Sequence, residues 1–95
     1  AALSDCNASL RLRPGDCQTL DSRGFVLFRL KRYDRAIADN TAALEINHGA
    51  ASSLYIRGLA KLRQGDRLGS VADIAAAEAL DRTIAATYLR YGVHP

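Results

Sequence analysis

The sequence predicts an all-α fold of antiparallel helix pairs, and three observations predict it. The 95-residue chain draws much of its 48% hydrophobic fraction from 17 Ala and 13 Leu and holds only two Pro, a composition that favours helix over strand. Its apolar residues recur at spacings of three and four rather than two. The chain also repeats itself: displaced by 34 residues, it matches at fifteen of 61 overlapping positions.

The repeat defines columns. Asp5, Asp39 and Asp73 fall in register, as do Leu10 with Leu44, Gly15 with Gly49, Leu20 with Leu54, and Arg29 with Arg63. The dipeptides Arg23-Gly24 and Arg57-Gly58 coincide, and Gly92 adds a third glycine to that column. Ala2, Ala36 and Ser70 form a small-residue column, Ser9, Ala43 and Ala77 another, and Leu12, Ile46 and Leu80 an apolar one.

Taken in order, residues 1–13 match the second helix of a period and stop at Pro14-Gly15. Asp16 then stands where an N-cap oxygen accepts the first unpaired N–H groups of a helix over 17–30, with Leu20, Gly24, Leu27, Phe28 and Leu30 at helical spacing. A helix over 34–47 carries Ile37, Ala43, Leu44 and Ile46, with Asp34 placed favourably for the helix dipole. His48-Gly49 ends it. The next period repeats the plan: 51–64 with Leu54, Gly58, Leu59 and Leu62, a turn at Gly65-Asp66, then 67–80 with Val71, Ile74, Ala77 and Leu80. Residues 84–92 match another first helix, so about six helices are expected in a single domain. Its divisions are 1–16, a partial repeat; 17–50 and 51–84, full repeats; and 85–95, a terminal or capping helix. Gly24 and Gly58 each cost about 1 kcal/mol in mid-helix. The expected reason is close packing, with Gly24 facing Ala36 and Ala43 so that helices approach to roughly 8–9 Å.

This pattern resembles the tetratricopeptide repeat family. Leu20, Gly24, Tyr33, Ala36 and Ala43 meet the family's spaced positions in one repeat, and Leu54, Gly58, Ser70 and Ala77 in the next. Ala2, Ser9 and Pro14 belong to the preceding half-repeat, and Ala43-Leu44-Glu45-Ile46-Asn47 looks like the usual second-helix ending. Lys31 replaces the customary glycine between helices, His48 and Arg82 the terminal proline, and Cys6, Asn40 and Ile74 fill a usually aromatic column. The resemblance implies a right-handed α-solenoid acting as a non-catalytic protein-binding scaffold. The chain lacks a starting Met and covers nearly three periods, so it is expected to be the C-terminal piece of a longer repeat protein. Its Arg and Ala usage suggests a GC-rich bacterial genome.

The family's concave groove binds peptides through the first helices of successive repeats. Carried over by position, it comprises Gln18, Asp21, Phe25, Phe28 and Arg29, then Ser52, Tyr55, Leu59, Leu62 and Arg63. Phe25, Phe28 and Tyr55 are the expected anchors, since buried aromatics dominate binding energy. Arg29 and Arg63 are expected to stand one above the other and meet a partner's carboxylates as bidentate donors. A clamp for a chaperone's C-terminal carboxylate is not expected, because the testable positions carry Asp21, Phe25, Ser22 or Ile56, Ser52 and Ala86; only Arg90 fits. Arg23 and Arg57 each precede an aspartate by sixteen residues, an offset that brings them together across an antiparallel pair as structural ion pairs.

Other functions find little support. No apolar run approaches the ~20 residues that cross a bilayer, so no membrane insertion is expected. The net charge of +3 is mild, and Asp16, Asp34 and Asp66 interrupt the arginines, so no nucleic-acid partner is expected either. Cys6 and Cys17 form no CxxC pair, and His48 and His94 complete no metal set with them, so neither metal nor cofactor is expected. Cys17 opens a helix, where the dipole lowers a thiol pKa, but no His stands beside it. No catalytic residue is assigned. The alternative to a peptide groove is self-association: the first helix, with Leu3, Leu10 and Leu12, lacks its own partner helix, and a homodimer through that face is expected on this reading. The terminal segment, with Ile84, Tyr88, Leu89 and Tyr91, is its capping counterpart.

Overall fold

Over residues 17–93, which a computed structural model describes, every regular element is a helix. They are α1 (Cys17–Arg29), α2 (Tyr33–Ile46), α3 (Ala51–Arg63), α4 (Arg67–Leu80) and α5 (Ile84–Arg90). Five helices are thus described, where about six are expected from the repeat. The helix expected over 1–13 and the capping role expected of Asp16 lie outside the described residues.

The helix ends explain the short connections. After α1, the Arg32 N–H donates to Leu27 O at 2.9 Å and the Lys31 N–H to Phe28 O at 3.0 Å, with Lys31 in the left-handed region at φ 63°. This is a Schellman termination, which glycine usually supplies. The same two bonds close α3, from Asp66 to Lys61 O and from Gly65 to Leu62 O, with Gly65 at φ 88°. They close α5 as well, from Val93 to Tyr88 O and from Gly92 to Leu89 O, with Gly92 at φ 79°. Gly92 therefore does not extend the mid-helix column of Gly24 and Gly58; its left-handed backbone ends α5 at Arg90, short of the expected 92. At the other end of α4, the Asp66 carboxylate accepts the Gly69 N–H at 2.9 Å as an N-cap.

Two matching contacts fix the helix pairs. The Arg23 guanidinium donates to both Asp39 carboxylate oxygens at 2.6 and 2.7 Å, and Arg57 does the same to Asp73 at 2.7 and 2.8 Å. The second pair has a third member, Lys61 Nζ, 3.0 Å from Asp73. Beside each ion pair sits a glycine. A Cβ on Gly24 would meet Asn40 Nδ2 at 2.8 Å, and one on Gly58 would meet Ile74 Cγ1 at 2.8 Å. Gly24 thus faces Asn40, not Ala36 and Ala43 as the small-residue columns suggested. The tight contact runs from the glycine to the column that holds Asn40 and Ile74. Ala36, Ala43 and Ala77 are nonetheless fully buried, consistent with close helix approach.

The core gathers around α3, which packs against all four other helices. Its Tyr55, Ile56, Leu59 and Ala60 are at most 1% exposed. Leu27 and Phe28 of α1, Leu44 of α2, Ala77 of α4, and Ile84 and Tyr88 of α5 close on it, and Val93 seals the chain end.

Alanine normally gains about 1 kcal/mol over glycine within a helix. Gly58→Ala should instead lose roughly 1–3 kcal/mol, because its methyl group overlaps Ile74; denaturant unfolding reads the sign directly. A second expectation concerns acid. Burial acts to raise the Asp73 carboxyl, but hydrogen bonds from Arg57 and Lys61 outweigh it and hold Asp73 below the ordinary carboxylate range. Its folded pKa is below its unfolded value, so the stability it contributes is present above about pH 4 and lost as pH falls through the folded value. Urea unfolding between pH 3 and 6, about the range of carboxylate titration, should give a shallower acid limb for Asp73→Asn than for the parent.

Candidate binding surface

The first helices of the two pairs and α5 contribute one aromatic cluster. Tyr88 of α5 stacks on Tyr55 of α3, with centroids 5.2 Å apart and planes at 17°. It also meets Phe25 of α1 edge-on at 5.4 Å. Tyr91 closes the group against Tyr88 at 5.8 Å and Phe25 at 6.4 Å. Each such contact is worth about 0.5–1.5 kcal/mol beyond the area it buries. Burial, reinforced by the negative charge of Glu78, pushes the Tyr55 hydroxyl pKa up, so this ring stays neutral well into the alkaline range.

This cluster redistributes the residues expected to line a groove. Tyr55 (1% exposed), Leu59 (0%) and Phe28 (7%) lie in the core, not on an open face. The physical reason is α5, which lays Tyr88 and Ile84 over the surface that α3 would otherwise present. Phe25, Ser52 and Leu62 are half-buried, and Arg29 and Arg63 are exposed. The side chains of Gln18 and Asp21 lie outside the described residues.

Arg29 and Arg63 do converge. They end α1 and α3, and with Lys31 they line one open pocket of about 240 Å³ completed by Phe28, Tyr33, Gly92 and Val93. No carboxylate is among these lining residues. Arg29 is held in place from two sides: its guanidinium lies 5.6 Å from the centroid of the Phe25 ring, and it donates to the Tyr91 carbonyl at 3.4 Å. Cations at helix C-termini also complement the partial negative charge of the last carbonyls. The pocket therefore presents planar and point-charge donors over an aromatic floor, an arrangement suited to carboxylates.

Sequence reasoning missed Lys31 and the central position of Tyr88. Both had a signal in the period. Lys31 stands in register with Gly65, where the chain turns, and Tyr88 with Leu20 and Leu54, which are buried at 7% and 9%. Among the described residues no three His, Cys, Asp or Glu side chains come together to hold a metal ion, and no helix is long and apolar enough to cross a membrane. Neither the protein-family models nor the curated proteins compared with this sequence give a match.

Truncating Tyr88 removes the ring shared by Phe25, Tyr55 and Tyr91. Tyr88→Ala should cost about 3–5 kcal/mol and release α5 before the rest. Native-state hydrogen exchange should then show α5 amides losing protection while α1 to α4 keep theirs.

Proposed function

We propose that this chain is part of a tetratricopeptide-type solenoid and works as a non-catalytic scaffold for an acidic segment of a partner protein. The observation that carries this reading is the convergence of Arg29, Lys31 and Arg63 on one pocket with no acidic lining residue. The 34-residue period and its columns support the solenoid; the pocket supports the chemistry of the partner. The aromatic portion of the expected groove is filled by α5, so binding centres on the basic mouth between the ends of α1 and α3. There the half-buried Phe25 ring lies under the Arg29 guanidinium. An acidic peptide gains bidentate hydrogen bonds from the two arginines and a third charge from Lys31, and screening by salt weakens all three. The self-association alternative rests on the helix expected over 1–13, outside the described residues.

An array of Asp- and Glu-rich peptides, read by fluorescence polarisation, tests the proposal. The double substitution Arg29→Ala/Arg63→Ala should weaken the best binder about tenfold or more, equivalent to roughly 1.4 kcal/mol. Unchanged affinity would overturn it. Lys31→Gly separates binding from folding. Glycine relieves a left-handed backbone that costs other residues roughly 1–2 kcal/mol, although its own unfolded-state entropy offsets part of that gain. This variant should be at least as stable as the parent, yet bind the acidic peptide several-fold more weakly.

A further inference from the structure

One surface is unlike its counterpart in the repeat. On α4, Leu68 is 88% exposed and Val71 66%, and Ala72, Ala75 and Ala79 are exposed between and beyond them. At about 100° per residue, residues 68, 72, 75 and 79 fall within a narrow arc. That arc lies opposite the buried line of Ser70, Asp73 and Ala77. The in-register positions of α2 are more polar: Asp34 stands where Leu68 is, Thr41 where Ala75 is and Glu45 where Ala79 is, while Ile37 and Ala38 match Val71 and Ala72. Of these, Asp34 and Glu45 mark the two ends of the face. Both are exposed, so α2 gives this face to water.

We infer that this outer face of α4 is a two-fold contact between two copies of this chain, with the α4 helices antiparallel. The choice of occupant follows from where the charges lie. Arg67 and Glu78 sit on the same edge of the apolar face, at opposite ends of the helix, and neither forms an ion pair with another described residue. A two-fold axis perpendicular to the paired helices returns each edge to itself with its ends exchanged. Arg67 therefore meets the second copy's Glu78, and Glu78 the second copy's Arg67. Parallel pairing exchanges the two edges instead and sets Arg67 and Glu78 against the uncharged edge of Gly69, Ala76 and Leu80. The apolar residues obey the same symmetry. Leu68 comes opposite Ala79 of the second copy, a large side chain against a small one, and Ala72 comes opposite Ala75 at the axis, where small residues let helices approach to about 8 Å. On the other edge Leu80, 55% exposed, extends the apolar surface. One helix thus supplies both halves of a complementary surface.

Sedimentation velocity on the 95-residue chain across a micromolar-to-millimolar series tests this. The apparent mass should rise from 10.3 kDa towards twice that value with concentration. Val71→Asp should hold the chain at monomer mass throughout, with unchanged helical circular dichroism, because the residue is exposed. Arg67→Glu faces the second copy's Glu78 with a like charge and should weaken association at least tenfold. The exchange Arg67→Glu/Glu78→Arg should restore it. Both changes suit the helix dipole, an acid in the first turn and a base in the last, so loss of α4 does not explain the result. A constant monomer mass for the parent overturns the inference. So does association that Val71→Asp leaves intact, which would place the contact elsewhere, the segment over 1–13 included. Failure of the charge exchange overturns the antiparallel geometry. Arg29, Lys31 and Arg63 take no part, so peptide binding is read independently.

Discussion

The close approach of paired helices at Gly24 and Gly58 is the constraint on which the rest of the structure depends. At each site a glycine removes the side chain that would hold the partner helix away, and the adjacent arginine grips an aspartate on that helix with two hydrogen bonds. The side chains of Arg23 and Arg57 remain 27% and 20% exposed while Asp39 and Asp73 are 10% and 8% exposed. Ion pairs placed this way add little net stability against an apolar alternative, but leaving one member behind is costly. Their effect is on register. A slide of one helix against the other breaks the bidentate geometry and drives a side chain into the glycine gap together.

With both pairs locked, α3 lies at the centre and its two sides face different neighbours. One side takes up the Arg57–Asp73 contact with α4; another carries Tyr55 to α5. The aromatic cluster then depends on α5 arriving at the right place. The Gly92 turn and the burial of Val93 hold that short helix down. The basic pocket is a by-product of the same geometry. Locked pairs bring the ends of α1 and α3 side by side, and the chain places Arg29, Lys31 and Arg63 there.

Much of this was legible in the sequence, because a repeat reports the same packing environment twice. Helix limits, the sixteen-residue Arg–Asp offset and the mid-helix glycines were all readable, each being a local or periodic property. The identity of the glycine's neighbour was not. Asn40 and Ile74 share a column without sharing chemistry, so the column did not announce itself as the contact. Groove anchors were readable only by position. Whether Tyr55 meets solvent or another part of the chain depends on where a seven-residue helix 33 residues later comes to rest.

The sequence by itself determined the helices, their pairing and the register of each pair, since these follow from 3.6-residue periodicity, turn chemistry and charges at a fixed offset. Only the tertiary structure decided which surfaces stay open. It closed the aromatic face with α5, set Lys31 beside two arginines distant from each other in the chain, and left the apolar side of α4 exposed. The physical reason is that burial is set by what packs against a residue. For Tyr55, Arg29 and Leu68 alike, that is decided by elements folding back from elsewhere or failing to reach.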